Sequence, residues 1–562
     1  MKFPKKAVVA LVACSAVVFA GCSSSGSSTS ESVNASSENA HFLSASYDEL
    51  TDGGELKLAI GELTEQQNTF HQDGTAYTST FWSWYNPDNL YVDENLEYHR
   101  DPNYVESVTE DTVDGNTVLT FKLNDKAKFN DGTPIDYTAY QTLWKIQNGQ
   151  NPEDYPASST DGYKSVSSVE RGDDDFTVVI TFDGIYPWWD SLFSTPVHPA
   201  LADPTVYKTG YLKQLHNEWG AGPYMVETAD FNQNYATFVP NPNWWGPKPK
   251  LERITYRQME AQATINAFKN GEIDAAGVAT RDNLAAIDGM TGIQLTKGLR
   301  TANNLYMLNS ESPILADLEV RKAIFTAIDL TQLEKIRYDG MDYDAPTSGS
   351  FIYYQGQPEY QNNFAKAVSY STEDAKAILE EAGWTLGSDG IYEKDGQRLS
   401  LTYPLIGDSA VVKSTTLATQ KMLKDAGIEL NIENRPSSEF SAVYTKKEFD
   451  MFGLGFTSSA LSGVPFFGQI YASDSTLNLS GTGTPEFDEK IAELEALPTK
   501  EEQIARAQEL EVEAFKLYGI MPSPVPPEIT ATKAGLANYG ATGLQGFPNY
   551  MIGWTDKRME ES

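Results

Sequence analysis

Eight short stretches of the chain alternate β-branched or aromatic residues with polar ones at a period of two: 55–60, 117–123, 176–182, 251–256, 304–308, 399–404, 428–433 and 450–454. Side chains of an extended backbone point to opposite faces in turn, so each stretch reads as a strand with one face buried. Between them lie stretches whose apolar residues recur three and four apart, the spacing of one helix face. Ser371 and Thr372 offer caps to a helix with the stripe Ala375, Ile378, Leu379 and Ala382, and Gly383 is its stop. Similar stripes run through 264–268 before Gly271, 320–328, 417–426 before Gly427, and 504–517. Helices and strands interleave along the chain, which predicts the α/β class.

The order of these elements divides the chain. Helix and strand alternate in βαβ fashion at 375–382, 399–404, 417–426 and 428–433, so the region from about 306 to 522 reads as one α/β lobe. Residues 82–214 are richer in aromatics, prolines and irregular polar turns and read as a smaller, separate module. A chain of 562 residues is well beyond a single core of roughly 250–300, so two or more lobes are expected in any case. Aromatics at 12% can fill such cores and still furnish a ligand cleft. Trp82 and Trp84 are assigned to a core.

The N-terminus follows neither period. Lys2, Lys5 and Lys6 precede an apolar run over 7–20, and Ala20 and Gly21 lead into Cys22, the pattern of a secretory signal. About 14 apolar residues fall short of the roughly 20 that span a bilayer. Phe19-Ala20-Gly21-Cys22 resembles the lipobox of bacterial lipoproteins, which implies a diacylglyceryl group on the Cys22 thiol and cleavage of 1–21. The other cysteine, Cys14, lies inside that segment, so the mature chain has a single thiol and no disulfide. Serine dominates from 23 to about 45, and 22–48 is read as a flexible tether with a reach of roughly 30 Å. The expected location is the extracytoplasmic face of the cell membrane, held by lipid alone.

Charge and chemistry narrow the function. A net charge of −36 excludes a nucleic-acid partner. Most acidic residues are dispersed, and Asp173-Asp174-Asp175 is read as a solvated turn between strands. There is no His-Glu-x-x-His, no Gly-x-Ser-x-Gly and no Gly-Lys phosphate loop. Histidines 41, 71, 99, 198 and 216 show no metal-ligand spacing, so no metal or other cofactor is expected. The carboxylates are too many for a glycosidase pair to be singled out, which leaves an extracellular hydrolase as a remote alternative.

Five segments, in order, resemble the oligopeptide- and dipeptide-binding proteins of bacterial ABC importers, the extracellular solute-binding proteins of family 5. They are Leu119-Thr120-Phe121-Lys122-Leu123 with Lys128-Phe129-Asn130-Asp131-Gly132-Thr133-Pro134; Gly220-Ala221-Gly222-Pro223-Tyr224 with Asn241-Pro242-Asn243-Trp244-Trp245-Gly246; and Phe268-Lys269-Asn270-Gly271-Glu272-Ile273-Asp274. Leu308-Asn309 with Leu318-Glu319-Val320-Arg321-Lys322-Ala323 and Ala327-Ile328-Asp329, and then Asp374-Ala375-Lys376 to Ala382-Gly383-Trp384, complete the set.

The resemblance implies a two-lobed clam-shell with a small additional α+β domain. Lobe I would comprise 49–81, 215–304 and 523–562, the inserted domain 82–214, and lobe II 305–522. It implies a monomer that is not an enzyme, captures short peptides in the interlobe cleft and delivers them to an ABC permease; another solute, such as an oligosaccharide, is the alternative cargo. The family holds a peptide's ammonium with an aspartate after an aromatic residue. Here Phe456, Thr457, Ser458 and Ser459 occupy that segment, with Ser459, or Ala460 by another placement, where the aspartate would stand. Glu62 is the expected substitute for that carboxylate, and Asn304 and Tyr306 are further expected cleft residues.

Overall fold

The computed structural model describes residues 40–557 apart from 342, 344, 345, 458, 459 and 476. Each of the eight alternating stretches forms a strand: Glu55–Ile60, Asn116–Leu123, Thr177–Phe182, Arg253–Gln258, Ala302–Leu308, Ser400–Ile406, Glu429–Arg435 and Met451–Thr457. In the first of these Leu56, Leu58 and Ile60 are buried while the residues between them are half-buried, as a period of two requires.

Two lobes and a smaller domain result. In the first lobe Glu55–Ile60 runs parallel to Arg253–Gln258, with Leu56 opposite Ile254, and the antiparallel strands Tyr235–Pro240 and Tyr224–Asp230 follow. A second sheet in this lobe places Glu528–Lys533, from near the C-terminus, between Ala275–Gly277 and Ile293–Gly298. Chain ends far apart in sequence therefore share one core. In the second lobe Ala302–Leu308 lies between Met451–Thr457 and Ile520–Pro522, with both pairings antiparallel. Beside it Ser400–Ile406 and Glu429–Arg435 pair in parallel, joined through the helix Ala410–Asp425, which is a βαβ unit.

The small domain is a four-stranded antiparallel sheet in the order Val105–Val113, Asn116–Leu123, Thr177–Phe182, Val166–Arg171. The helix Tyr137–Gln147 covers it with Ala139, Tyr140, Leu143 and Ile146, all buried. Asp136 caps that helix by accepting from Thr138 N–H at 2.9 Å. The Asp173–Asp175 run is indeed the turn between two strands of this sheet; Asp174 accepts from Phe176 N–H at 3.1 Å and from the Thr177 hydroxyl at 2.6 Å.

The helices match the stripes, with one instructive extension. Ser371 Oγ accepts from Asp374 N–H at 3.1 Å to start Thr372–Glu381, and Gly383, at φ +87°, ends its turn. The stripe at 417–426 belongs to a helix that begins at Ala410. Its first two turns bury Thr415 and Thr416, whose hydroxyls donate to Val412 O at 2.8 and 2.9 Å. A threonine satisfied by its own helix can face a core, which an apolar pattern does not register.

The chain passes between the lobes at two adjacent places, just before Ala302–Leu308 and just after Ile520–Pro522. Ser523 N–H donates to Asn304 O at 2.8 Å, and Asn304 Nδ2 donates to Pro524 O at 2.9 Å, so the two crossings are tied together as one hinge. Among the described residues no helix is long and apolar enough to cross a membrane.

Candidate ligand cleft

The cleft is built where the crossover strand Ala302–Leu308 meets the edge strand Met451–Thr457. Ser400–Ile406 flanks the start of this edge strand, where Asp450 N–H donates to Thr402 O at 3.1 Å, and among the described residues no strand forms a ladder with its outer edge beyond that point. At the end of Met451–Thr457 a cavity of about 210 Å³ opens, lined by Asn303, Leu305 and Phe456 from the two strands, by Phe351 and Tyr354 from a loop, and by Phe466 and Ile470 from the short helical turns Val464–Phe466 and Phe467–Tyr471. A second, smaller cavity shares Asn303, Phe351 and Tyr354 and extends to the hinge residues Arg300, Asn304, Pro522 and Ser523.

The loop that carries Phe351 to Tyr354 has no helix or strand of its own and is held by one buried carboxylate. Glu511 accepts from Phe351 N–H, Ser350 Oγ and Asn363 Nδ2, each at 2.7 Å, and from the Tyr471 hydroxyl at 3.3 Å. Burial pushes this carboxyl up to about 6, against the pull of those four donors.

The expected site residues are distributed unevenly. Phe456 lines the main cavity, and Asn304 lines the hinge cavity. Thr457 ends the edge strand opposite Ala302. Tyr306 is buried, its hydroxyl 3.3 Å from that of Thr419, so its ring packs within the second lobe instead of lining either cavity. Ser458, Ser459 and Cys22 lie outside the described residues.

Glu62 is buried at the junction of the lobes. It accepts from Ser441 Oγ at 2.9 Å and Ser441 N–H at 3.3 Å, and burial raises its pKa while Ser441 opposes the rise. Trp82 and Trp84 are in cores as expected, the latter donating to the Tyr256 hydroxyl at 3.0 Å.

The lobes touch at further points along the same seam. Glu260 accepts from Ser437 N–H at 2.8 Å and Ser437 Oγ at 2.6 Å, Tyr77 meets Phe440 edge to face at 6.3 Å, and Arg281 pairs with Asp339 at 2.9 Å. The cleft is thus bridged by hydrogen bonds from one lobe to the other.

Sequence reasoning passed over most of the cavity wall, namely Phe351, Tyr354, Phe466 and Ile470. The available signal was the run Phe351-Ile352-Tyr353-Tyr354, four large apolar or aromatic residues with neither period and flanked by Ser and Gln. It also gave no warning that Asp93 and Glu97 converge on His99. Their ligand atoms lie within 4.8 Å of one another, but Asp93 spends its oxygens on Asn95 N–H, Glu97 N–H and His99, which is how a tight hairpin turn is closed.

With two lobes, a double crossing and a loop-walled cleft established, comparison with known proteins decides the family. The profile of bacterial extracellular solute-binding proteins, family 5 Middle, matches residues 101–478. The chain belongs to this family. Like other members of family 5 it is an extracellular solute-binding protein, and the curated relatives it matches include oligopeptide- and nickel-binding proteins. The oligopeptide-binding protein OppA of Mycobacterium tuberculosis is 29% identical over 557 residues, covering 96% of this chain and 92% of that protein. Among solved structures, the periplasmic EDTA-binding protein EppA shares the fold at 23% identity and a TM-score of 0.77, covering 92% of this chain and 98% of its own. The oligopeptide-binding protein AppA of Bacillus subtilis, solved with a nonapeptide, shares it at 20% identity and a TM-score of 0.75, covering 90% of this chain and 99% of its own.

Proposed function

We propose that this family 5 protein is the lipid-anchored receptor of an ABC importer, which captures short peptides in the cleft and hands them to the permease. One observation carries the peptide cargo. The edge strand Met451–Thr457 is flanked at its start by Ser400–Ile406, but among the described residues no strand pairs with the end of it that reaches the main cavity, so an extended peptide can add to that end through main-chain hydrogen bonds. Main-chain pairing is indifferent to sequence, while Phe456, Phe466 and Ile470 offer an apolar wall to side chains. Kinship with an oligopeptide-binding protein along nearly the whole chain supports the same reading.

In this reading Phe456, Thr457, Ser458, Ser459 and Asn304 meet the ligand, and Tyr306 backs the cleft from within lobe II. Glu62 is the acidic group nearest in role to the missing aspartate. It is engaged with Ser441, so a peptide ammonium would have to displace or share that serine. The lobe limits are taken near the crossings, with 82–214 as the inserted domain and 305–522 as lobe II, but the helix Ala76–Tyr85 runs across the first limit and carries Trp84 and Tyr85 into the core of lobe I, and the crossover strand begins at Ala302. The lipid on Cys22 and the tether after it keep a monomeric receptor within reach of its permease; that tether is shorter than the expected 22–48, because from His41 on the chain packs on lobe I, His41 N–H donating to Lys297 O at 2.7 Å and Ala45 N–H to Asn538 Oδ1 at 3.0 Å.

Thermal unfolding of the purified protein with pools of short peptides and, separately, of oligosaccharides tests this. A ligand at 100 times its Kd stabilises by about 2.7 kcal/mol. A shift with peptides and none with sugars is expected; a shift with sugars alone removes the peptide cargo.

A further inference from the structure

Two lobes that merely touch would each satisfy their own polar groups. At one point of the seam these lobes exchange them. Glu260 stands at the start of the helix Ala261–Lys269 in lobe I, yet its side chain makes no capping bond to that helix. Both its oxygens instead accept from Ser437 of lobe II, Oε1 from the N–H at 2.8 Å and Oε2 from the hydroxyl at 2.6 Å. The helix is served from the opposite side: Gln262 N–H, in its first turn, donates to Asp408 Oδ1 of lobe II at 3.3 Å. Each lobe thus supplies the carboxylate that takes up a backbone N–H of the other.

The exchanging groups sit next to regular elements. Glu260 follows the strand Arg253–Gln258, and Met259 N–H donates to Ile60 O at 2.9 Å. Asp408 and Ser437 follow the two parallel strands of the βαβ unit, Ser400–Ile406 and Glu429–Arg435. Loops at the C-terminal ends of parallel strands are where α/β units commonly bind ligands. Here they bind the other lobe. Gly407 leaves room for it, since its φ is +79° and a Cβ there would stand 2.9 Å from Ser437 Oγ and 3.5 Å from Glu260 Oε2.

None of Glu260, Gln262, Asp408 and Ser437 lines either cavity of the cleft. Their bonds are made between the protein's own groups and are lost when the lobes part. Hydrogen bonds to an ionised acceptor are among the stronger ones, so this exchange weighs on the balance between open and closed.

We propose that Glu260 and Asp408 are positioning residues which, by bonding across the seam, set the fraction of the chain that stands closed and so the affinity for every cargo, without touching the cargo. The proposal rests on the capture reading and deepens it, adding to closure a part that the protein supplies by itself. A ligand that binds only the closed form has its apparent Kd raised by the inverse of the closed fraction, so loosening the exchange weakens all cargoes by one factor. A residue that met the cargo would weaken some and spare others.

Spin labels at Asn270 in lobe I and Lys424 in lobe II report the closed fraction, and isothermal titration with penta-alanine and with the same peptide bearing a central phenylalanine reports affinity. Glu260→Ala and Asp408→Ala are each expected to lower the closed fraction of the protein without peptide. Each is expected to weaken both peptides by the same factor, roughly 5- to 10-fold. Asp408→Asn keeps an oxygen for Gln262 N–H and is expected to restore most of the loss.

A closed fraction that neither alanine variant changes overturns the proposal, as does a loss that falls on one peptide and spares the other. Binding of neither peptide by the native protein overturns the peptide cargo instead. The label distances of the peptide-free protein and its variants then still decide the exchange.

Discussion

Lobe II has two neighbours, and it meets them in different ways. Against lobe I the contacts are mostly polar: Glu260 with Ser437, buried Glu62 with Ser441, and the Arg281–Asp339 pair whose side chains are 66% and 62% exposed, with Tyr77 against Phe440 as the aromatic contact. Against the small domain the hydrophobic core runs through without a break, and buried hydrogen bonds accompany half-exposed ion pairs such as Lys500–Asp190. Trp188 donates to Gln503 at 2.8 Å with the Lys500 ammonium 5.0 Å from its ring, and Asp161 accepts from Gln469 N–H at 2.6 Å. One junction is a seam that water can enter and separate; the other is part of a protein interior. The small domain is joined to lobe I in the same buried way, with Tyr207 OH donating to Phe70 O at 2.7 Å and Tyr104 OH to Ala221 O at 2.9 Å, so opening of the cleft falls at the polar seam between the two lobes.

The largest expected effect breaks the interior junction. Trp188→Ala removes an indole that is 9% exposed, and should cost about 3–5 kcal/mol in chemical denaturation, as large core truncations do. If the junction were a seam like the other, the loss would stay below about 1 kcal/mol.

Next in size is a pH effect inside lobe II. The Glu511 carboxyl titrates near 6 in the folded protein and near 4.5 when unfolded. Between those values the folded state holds the proton and the unfolded state does not, so this group's contribution is fully present below about 4.5 and is lost as pH rises through 6. The change is about 2 kcal/mol. Denaturation midpoints from pH 4.5 to 7, native against Glu511→Gln, should show that extra loss in the native protein alone.

The seam is softer. Ser437→Ala removes one of two donors to Glu260, and should shift the lobes toward the open arrangement by about 1 kcal/mol, or roughly fivefold, with little change in melting. Solution scattering without ligand would show a larger radius of gyration. Smallest of all, Arg281→Ala should change stability by about 0–1 kcal/mol, since an exposed pair at 2.9 Å is screened by solvent.

These two junctions also mark what the sequence could show. Strands such as Glu55–Ile60 were legible because one face is buried and alternation follows directly. Val105–Val113 was not, because past Val105 its residues are exposed or half-exposed, Glu106, Glu110 and Asp111 among them, and no alternation survives. The cavity wall was hidden for another reason. Its loop is fixed by Glu511, about 150 residues further on, and a contact at that separation leaves no local period. Phe456 was found through its place in a motif, and Glu62 through its place after the first strand; their surroundings emerge only in the fold.

Distances between spin labels test the account most directly. One pair, at Asn270 in lobe I and Lys424 in lobe II, spans the seam; a second, at Asp173 in the small domain and Lys424, spans the interior junction. Addition of penta-alanine free acid should shorten and narrow the first distance and leave the second unchanged. A first distance indifferent to the peptide, or a second that moves as much as the first, would contradict capture of a peptide by closure across the polar seam.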